Sequence, residues 1–413
     1  MDINIFEKLY EMTALSNIIA EPQFLIMYAL AFTLLYLGIK KEFEPMLLIP
    51  IAFGVLLANF PGGEMGIIQA SSDGTVTTLD GTVKNLWEMS LPEIAHDMGL
   101  MNFLYYMLIK TGFLPPIIFM GVGALTDFGP MLKNLRLSIF GGAAQFGIFA
   151  TLLIAILIGF TPKEAAALGI IGGADGPTAI YTTIKLAPHL LGPIAIAAYS
   201  YMALVPVIIP LLVRLTCSSK ELSINMKEQD KLYPSKIEIK NMRVTKIIFP
   251  IAITTIVAIF VPTAISLVGM LMFGNLVKEI GANTSRLFDA ASNGIMNAAT
   301  VFLGLCVGAT MTVDAFLNWT TIGIVIGGFF AFSLSIFGGI MFVKLFNLFS
   351  KKKINPLIGA TGLSAVPMAS RVANDIALRY DFKNHILQYC MSSNISGVIG
   401  SAVAAGILIS FLG

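Results

Sequence analysis

The chain has 413 residues, of which 56% are hydrophobic and 12% charged, and its formal net charge is +2. Soluble proteins carry about 25% charged residues, so this composition excludes a large soluble domain, and the small net charge argues against a nucleic-acid partner. What remains is an all-α polytopic membrane protein.

Residues 1–20 read as an amphipathic, interfacial segment. Ten predicted spans follow, at 23–39, 44–60, 98–128, 137–159, 189–213, 247–266, 267–280, 292–312, 320–346 and 386–412. The 98–128 stretch exceeds one span and holds Lys110 and Pro115-Pro116, so it reads as an interfacial piece followed by a helix. The 267–280 stretch is short for a hydrocarbon core ~30 Å thick. Stretches 163–187 and 354–375 are too rich in Gly, Pro and polar residues for simple helices and read as re-entrant, broken hairpins. The amino end is acidic and lacks a basic n-region, so no cleavable signal peptide is expected. Cys217, Cys306 and Cys390 have neither disulfide nor metal spacing, and His96, His189 and His385 are too dispersed for a metal site.

Charge orients the spans. Basic clusters at Lys40-Lys41, Lys133 with Arg136, 214–246 and Lys351-Lys352-Lys353 belong in the cytoplasm. Ten spans with two re-entrant hairpins satisfy all four, with both termini outside and the acidic 61–97 stretch an extracytoplasmic insertion. The chain then divides into a first repeat (1–213), a cytoplasmic basic linker (214–246) and a second repeat (247–413).

Three short strings recur. Gly123-Ala124-Leu125-Thr126 returns as Gly308-Ala309-Thr310-Met311, offset by 185, and Gly173-Ala174-Asp175-Gly176 as Gly359-Ala360-Thr361-Gly362, offset by 186. Phe53-Gly54 and Phe273-Gly274 lie 220 apart, which fits an insertion of about 35 residues in the first half. The charge-derived topology runs paired segments in opposite directions, so the repeats are expected to be inverted. Paired interrupted segments in such repeats point to a transporter's binding site.

The residues with chemical potential sit in these segments. Asp175, flanked by glycines and Pro177, implies a broken backbone beside a buried carboxylate. At mid-membrane an Asp costs ~2.5–3.5 kcal/mol. Unwound carbonyls with a carboxylate form a hard oxygen cage for a small cation; the same group could carry a proton, or simply cap the helix at Thr178. In the second broken element Asn355, Thr361 and Ser364 offer neutral oxygens. Ser364, Met368 and Arg371 share a face if that arm is helical. Arg371 either binds a carboxylate bidentately or marks the cytoplasmic end of the hairpin. Tyr201, about mid-span, could donate a hydrogen bond or proton, or belong to the interfacial aromatic belt. Asn394 needs a polar partner. Asp127 reads as a helix-boundary residue.

Three stretches carry a resemblance over nearly the whole chain: Ile171–Ile180, Tyr199–Pro206, and Asn355–Gly359 with Ser364-Ala365-Val366-Pro367-Met368 and Arg371. They closely resemble the β subunits of the sodium-translocating, biotin-dependent decarboxylases. The resemblance implies that a carboxyltransferase α subunit loads CO2 onto a biotin carrier protein. The β subunit, with a small membrane γ or δ subunit in an oligomeric complex, would decarboxylate carboxybiotin and export Na+ across a bacterial or archaeal plasma membrane. Biotin would be carried by the partner, not by this chain. The resemblance places essential roles on Asp175 and Tyr201, and functional ones on Asn355, Gly359, Ser364 and Arg371, with Asn394 as a sodium-site asparagine. On this reading Asp175, Asn355, Gly359, Ser364 and Asn394 serve sodium, with the metal at Asp175, Asn355 and Asn394. Arg371, Ser364 and Asn355 bind carboxybiotin, and Asp175, Tyr201 and Arg371 are catalytic. A sodium-coupled organic-anion transporter would share every physical feature read from the residues.

Overall fold

Apolar runs uninterrupted by Gly-Pro clusters form the long helices, as internal satisfaction of the backbone in lipid requires. The computed structural model describes Tyr10, 13–42, 44–71, 73–234, Ile239 and 241–413. Among these residues seven helices are long and apolar enough to cross a membrane: Gln23–Lys40, Leu135–Ile158, Met242–Phe260, Pro262–Ile280, Ala282–Ala309, Trp319–Phe349 and Leu387–Leu412. The count reaches nine if two broken pairs, Leu100–Ile109 with Leu114–Leu125 and Pro188–Met202 with Val205–Thr216, are each one span. The expected 44–60 span folds as Pro45–Ala58, only 14 residues, or roughly 21 Å of helix, which falls short of a ~30 Å core. At 98–128 the interruption falls at residues 110–113, between Lys110 and the proline pair.

The chain divides into two compact units, each drawing on both sequence halves: the described parts of Met1–Leu114 with Leu191–Pro193 and Asn297–Ile322, and Pro115–Leu190 with Ile194–Met296 and Gly323–Gly413.

In the first unit the Pro45–Ala58 and Met296–Ala309 helices meet at glycine. A Cβ on Gly54 would strike the Leu305 carbonyl, and one on Gly308 the Ile51 carbonyl. Asn59 Nδ2 donates to the Met311 carbonyl at 2.7 Å. The 61–97 insertion holds an antiparallel hairpin, Thr75–Thr77 against Val83–Asn85, with Val76 opposite Lys84. It also holds the Leu91–Met98 helix, closed by a capping box between Ser90 and Glu93. Leu15–Ala20 is a short helix with no buried residue; residues 1–9, 11 and 12 of the expected interfacial segment lie outside the described residues.

The hairpin turn has a pH signature. The Thr78 hydroxyl and the Thr82 amide and hydroxyl donate to Asp80 and hold its carboxyl down to about 2. A depressed carboxylate stabilises fully above its ordinary value of about 4 and loses that contribution as pH falls through the folded value. Pepsin cleavage within 75–85 should therefore accelerate between about pH 4 and pH 2. Asp80→Asn should be cut at the faster rate at both pH values; an unchanged pH response in that variant would contradict the assignment.

In the second unit Gly123 and Gly274 repeat the glycine contact, on Leu114–Leu125 and Ile265–Ile280. A Cβ on Gly123 would strike the Leu271 carbonyl, and one on Gly274 the Met120 carbonyl. Asn275 Nδ2 donates to the Thr126 carbonyl at 2.9 Å. Thr126 and Met311 close the two recurring four-residue strings, so both seams end on equivalent carbonyls. The broken elements also pack across the halves: Gly176–Leu186 lies on Leu387–Leu412, and Met368–Tyr380 on Val205–Thr216. Asp127 pairs with Lys246 at 2.6 Å and accepts from the Gly129 amide, as a boundary residue does. In the linker, Ser219–Leu222 and Met226–Leu232 are helical; Lys236 and Lys240 lie outside the described residues.

Candidate functional site

The first broken element is built as its composition dictates. The Pro162–Gly169 helix starts on a Thr161–Glu164 capping box and tightens to a 3-10 turn over Ile170–Gly173. Ala174 then adopts a left-handed conformation, φ +52°, which costs a residue with a Cβ roughly 1–2 kcal/mol. Asp175 is extended and caps the Gly176–Leu186 helix, with Pro177 in its first turn. A Cβ on Gly176 would overlap the Tyr199 ring, so only glycine lets the backbone lie against that aromatic.

Asp175 is 6% exposed. Its Oδ1 accepts from the Thr178 amide at 3.3 Å and its Oδ2 from the Ser401 hydroxyl at 2.7 Å. Both donors are neutral, and among the described residues no cation pairs with it. Burying an ionised carboxylate without a counter-charge is costly enough that it binds a cation or takes a proton.

The second broken element meets the first here. The Ser364 amide donates to the Gly173 carbonyl at 3.0 Å, and its hydroxyl lies 2.9 Å from Ser401 Oγ. A polar chain thus runs Ser364–Ser401–Asp175. Asn394 finds the partners its burial demands: its Nδ2 donates to the Leu363 carbonyl and its Oδ1 accepts from Ser370 at 3.2 Å. Gln145, between the Leu135–Ala144 and Phe146–Ile158 helices, donates to the carbonyls of Gly141, Gly362 and Gly397 at 2.9, 3.4 and 3.4 Å. Its Oε1, like Thr178 Oγ1, is buried without a hydrogen-bond partner among the described residues. That Oε1 would lie 3.6 Å from a Cβ on Gly173. Close approach is secured by glycine: a Cβ on Gly397 would strike the Gly362 carbonyl.

The other sequence-predicted residues stand apart from this cluster. Asn355 Nδ2 holds the linker carbonyls of Leu222 and Ile224 at 2.8 and 3.1 Å, while its Oδ1 accepts from the Leu357 amide. Gly359 packs against Gly339, where a Cβ on either would strike the other's carbonyl. Tyr201 donates to the Val325 carbonyl, its ring edge-on to Phe329. Arg371 is exposed. The face expected for Ser364, Met368 and Arg371 does not form: the helix begins at Met368, after Pro367, so Ser364 sits in the unwound stretch.

Sequence reasoning missed Ser401 and Gln145. Ser401 lies seven residues after Asn394, two turns along one helix face, and Gln145 is a lone amide in the apolar 137–159 span; both were signals.

A multi-pass helical membrane protein with a buried, cation-free carboxylate at paired backbone breaks is the class that this fold and site define. The model of the Na+-transporting oxaloacetate decarboxylase beta subunit matches residues 23–412. The chain is 45% identical to oxaloacetate decarboxylase beta chain 2 of Salmonella typhi, covering 94% of both. It is 47% identical to the methylmalonyl-CoA decarboxylase subunit beta of Propionigenium modestum, covering 94% of this chain and 95% of that one. It is 44% identical to the oxaloacetate decarboxylase beta chain of Klebsiella pneumoniae, covering 94% of both. This chain belongs to the family of the sodium-transporting decarboxylase beta subunits.

Proposed function

We propose that this chain decarboxylates carboxybiotin at the cytoplasmic side of a bacterial or archaeal plasma membrane and couples that step to Na+ export. The observation that carries the reading is Asp175, a buried carboxylate met among the described residues only by neutral donors at a backbone break, in a family named for sodium transport. Sodium is the cargo. Asp175 supplies the charge; Ser364, Ser401 and Gln145 supply neutral oxygens around it, and Asn394 holds the unwound 361–367 stretch in place. Asn355 and Gly359 act from the other end of the same broken element, on the linker and on Gly339.

Carboxybiotin arrives on a biotin carrier protein loaded by the carboxyltransferase α subunit, with the small γ or δ subunit beside this chain in the membrane. Arg371, exposed and without an ion pair among the described residues, takes its carboxylate. The bond between the ureido nitrogen and the carboxyl carbon breaks, CO2 leaves, and the nitrogen keeps the electron pair and takes one proton. Tyr201 orients the reacting group or helps deliver that proton.

Two inverted repeats provide the alternating states that coupling requires. The reciprocal packing supports this reading: Gly54 with Gly308 and Gly274 with Gly123 are one contact made twice, with the halves exchanged. The broken arms exchange in the same way.

The test uses the intact complex in sealed vesicles with no initial sodium gradient. Carboxylated carrier should drive Na+ transport with one CO2 released per decarboxylation event. A gradient-driven organic-anion transporter would move Na+ only when an anion gradient is supplied, and that result overturns the proposal. Ser401→Ala should raise the sodium concentration for half-maximal CO2 release about tenfold, as expected for losing a hydrogen bond to a charged group, with the maximal rate kept. A lowered maximal rate at unchanged sodium dependence would remove Ser401 from the sodium site.

A further inference from the structure

A second site lies at the end of three spans. A cavity of about 350 Å³, within the size range of small-ligand pockets, is lined by Lys133, Asn134, Arg136, Asp230, Lys352 and Tyr389. Its charges do not cancel. Asp230 is fully engaged: Lys352 Nζ meets one oxygen at 2.5 Å and the Tyr389 hydroxyl donates to the other at 2.5 Å. Lys133 and Arg136 have no ion pair among the described residues. Two positive charges therefore face the cavity uncompensated.

Its position selects among anions. Leu135 opens the Leu135–Ile158 span, Phe346 stands near the end of Trp319–Phe349, and Tyr389 near the start of Leu387–Leu412. The cavity thus sits at headgroup depth, and charge asymmetry puts its basic clusters on the cytoplasmic face. Leu135 and Phe346, both in the lining, are 48% and 38% exposed, which gives the cavity an apolar exit toward the lipid-facing surface. Asp230 and Met226 of the linker complete the lining.

We propose that this cavity binds the phosphate-diester headgroup of an anionic membrane lipid, with its acyl chains leaving past Leu135 and Phe346. Lys133 and Arg136 hold the phosphate, Arg136 through two parallel donors, and Asn134 adds a neutral one. The linker that contributes Met226 and Asp230 to the lining is the one anchored by Asn355, so lipid occupancy secures the linker against the membrane.

Native mass spectrometry of the intact, detergent-solubilised complex tests this, with phosphatidylglycerol or phosphatidylcholine added. Phosphatidylglycerol should be retained and phosphatidylcholine should not. Each cation near a membrane surface contributes about fivefold in affinity. Lys133→Gln with Arg136→Gln should therefore weaken phosphatidylglycerol retention roughly twenty-five-fold. Asp230→Asn, which releases Lys352, should strengthen it and so decides the matter if the double variant folds poorly. Equal retention of the two lipids, or no response to either variant, overturns the proposal. Displacement by inorganic phosphate at matching concentration would assign the cavity to a soluble phosphate and overturn the lipid. Loss of turnover with carrier protein at unchanged lipid retention would assign the cations to a protein partner instead.

Discussion

Asp175→Asn should abolish sodium-dependent CO2 release, by about hundredfold or more, while leaving the protein folded. The separation follows from what the side chain does. Its Oδ1 caps the Gly176–Leu186 helix, and asparagine caps as well as aspartate, so thermal stability should change by less than about 1 kcal/mol. The substitution removes the only negative charge in the cluster, so a cation would meet neutral oxygens alone. Asp175→Ala loses the cap as well and should lower both activity and stability. The measurement pairs CO2 release against sodium concentration with thermal unfolding of the same preparations. Sodium-dependent release at near-native rate in Asp175→Asn would remove the carboxylate from the mechanism.

The second large effect lies away from the carboxylate. Gly359→Ala and Gly339→Ala should fail alike. A Cβ on Gly359 would strike the Gly339 carbonyl, and one on Gly339 the Gly359 carbonyl; no side-chain rotation relieves a clash with backbone. Overpacking of this kind costs about 1–3 kcal/mol, and both variants should lose thermal stability together with activity. A stable, active Gly339→Ala would contradict the close backbone contact. Parallel unfolding curves for the two variants are the expected result.

What the sequence disclosed depended on whether the signal was local. The break at Asp175 was readable because glycine, aspartate and proline each limit the backbone in a known way. The recurring Phe-Gly pairs were readable only as an offset between halves; the structure adds that Gly54 and Gly274 each meet a backbone carbonyl where no side chain fits. Ser401 escaped because a serine on a membrane helix usually bonds its own backbone; only the fold brings it to Asp175. Asn355 looked like an ion ligand, yet its amide is spent on the linker carbonyls of Leu222 and Ile224. The shared face of Ser364 and Arg371 failed because Pro367 delays the helix to Met368. The count of spans was the least secure reading, since Pro45–Ala58 is apolar enough but too short on its own.

The hydrogen bond from Ser401 to Asp175 joins residues 226 positions apart. Synthesis order gives that distance a meaning. Asp175 leaves the ribosome long before Ser401 is made, and Gly176–Leu186 can pack on Leu387–Leu412 only after that. A chain interrupted before Ser401 carries an orphan acid in an unclosed loop, the kind of species that cellular proteases remove. The Leu387–Leu412 helix therefore acts as a checkpoint: the carboxylate is hidden only once that helix has been made and packed.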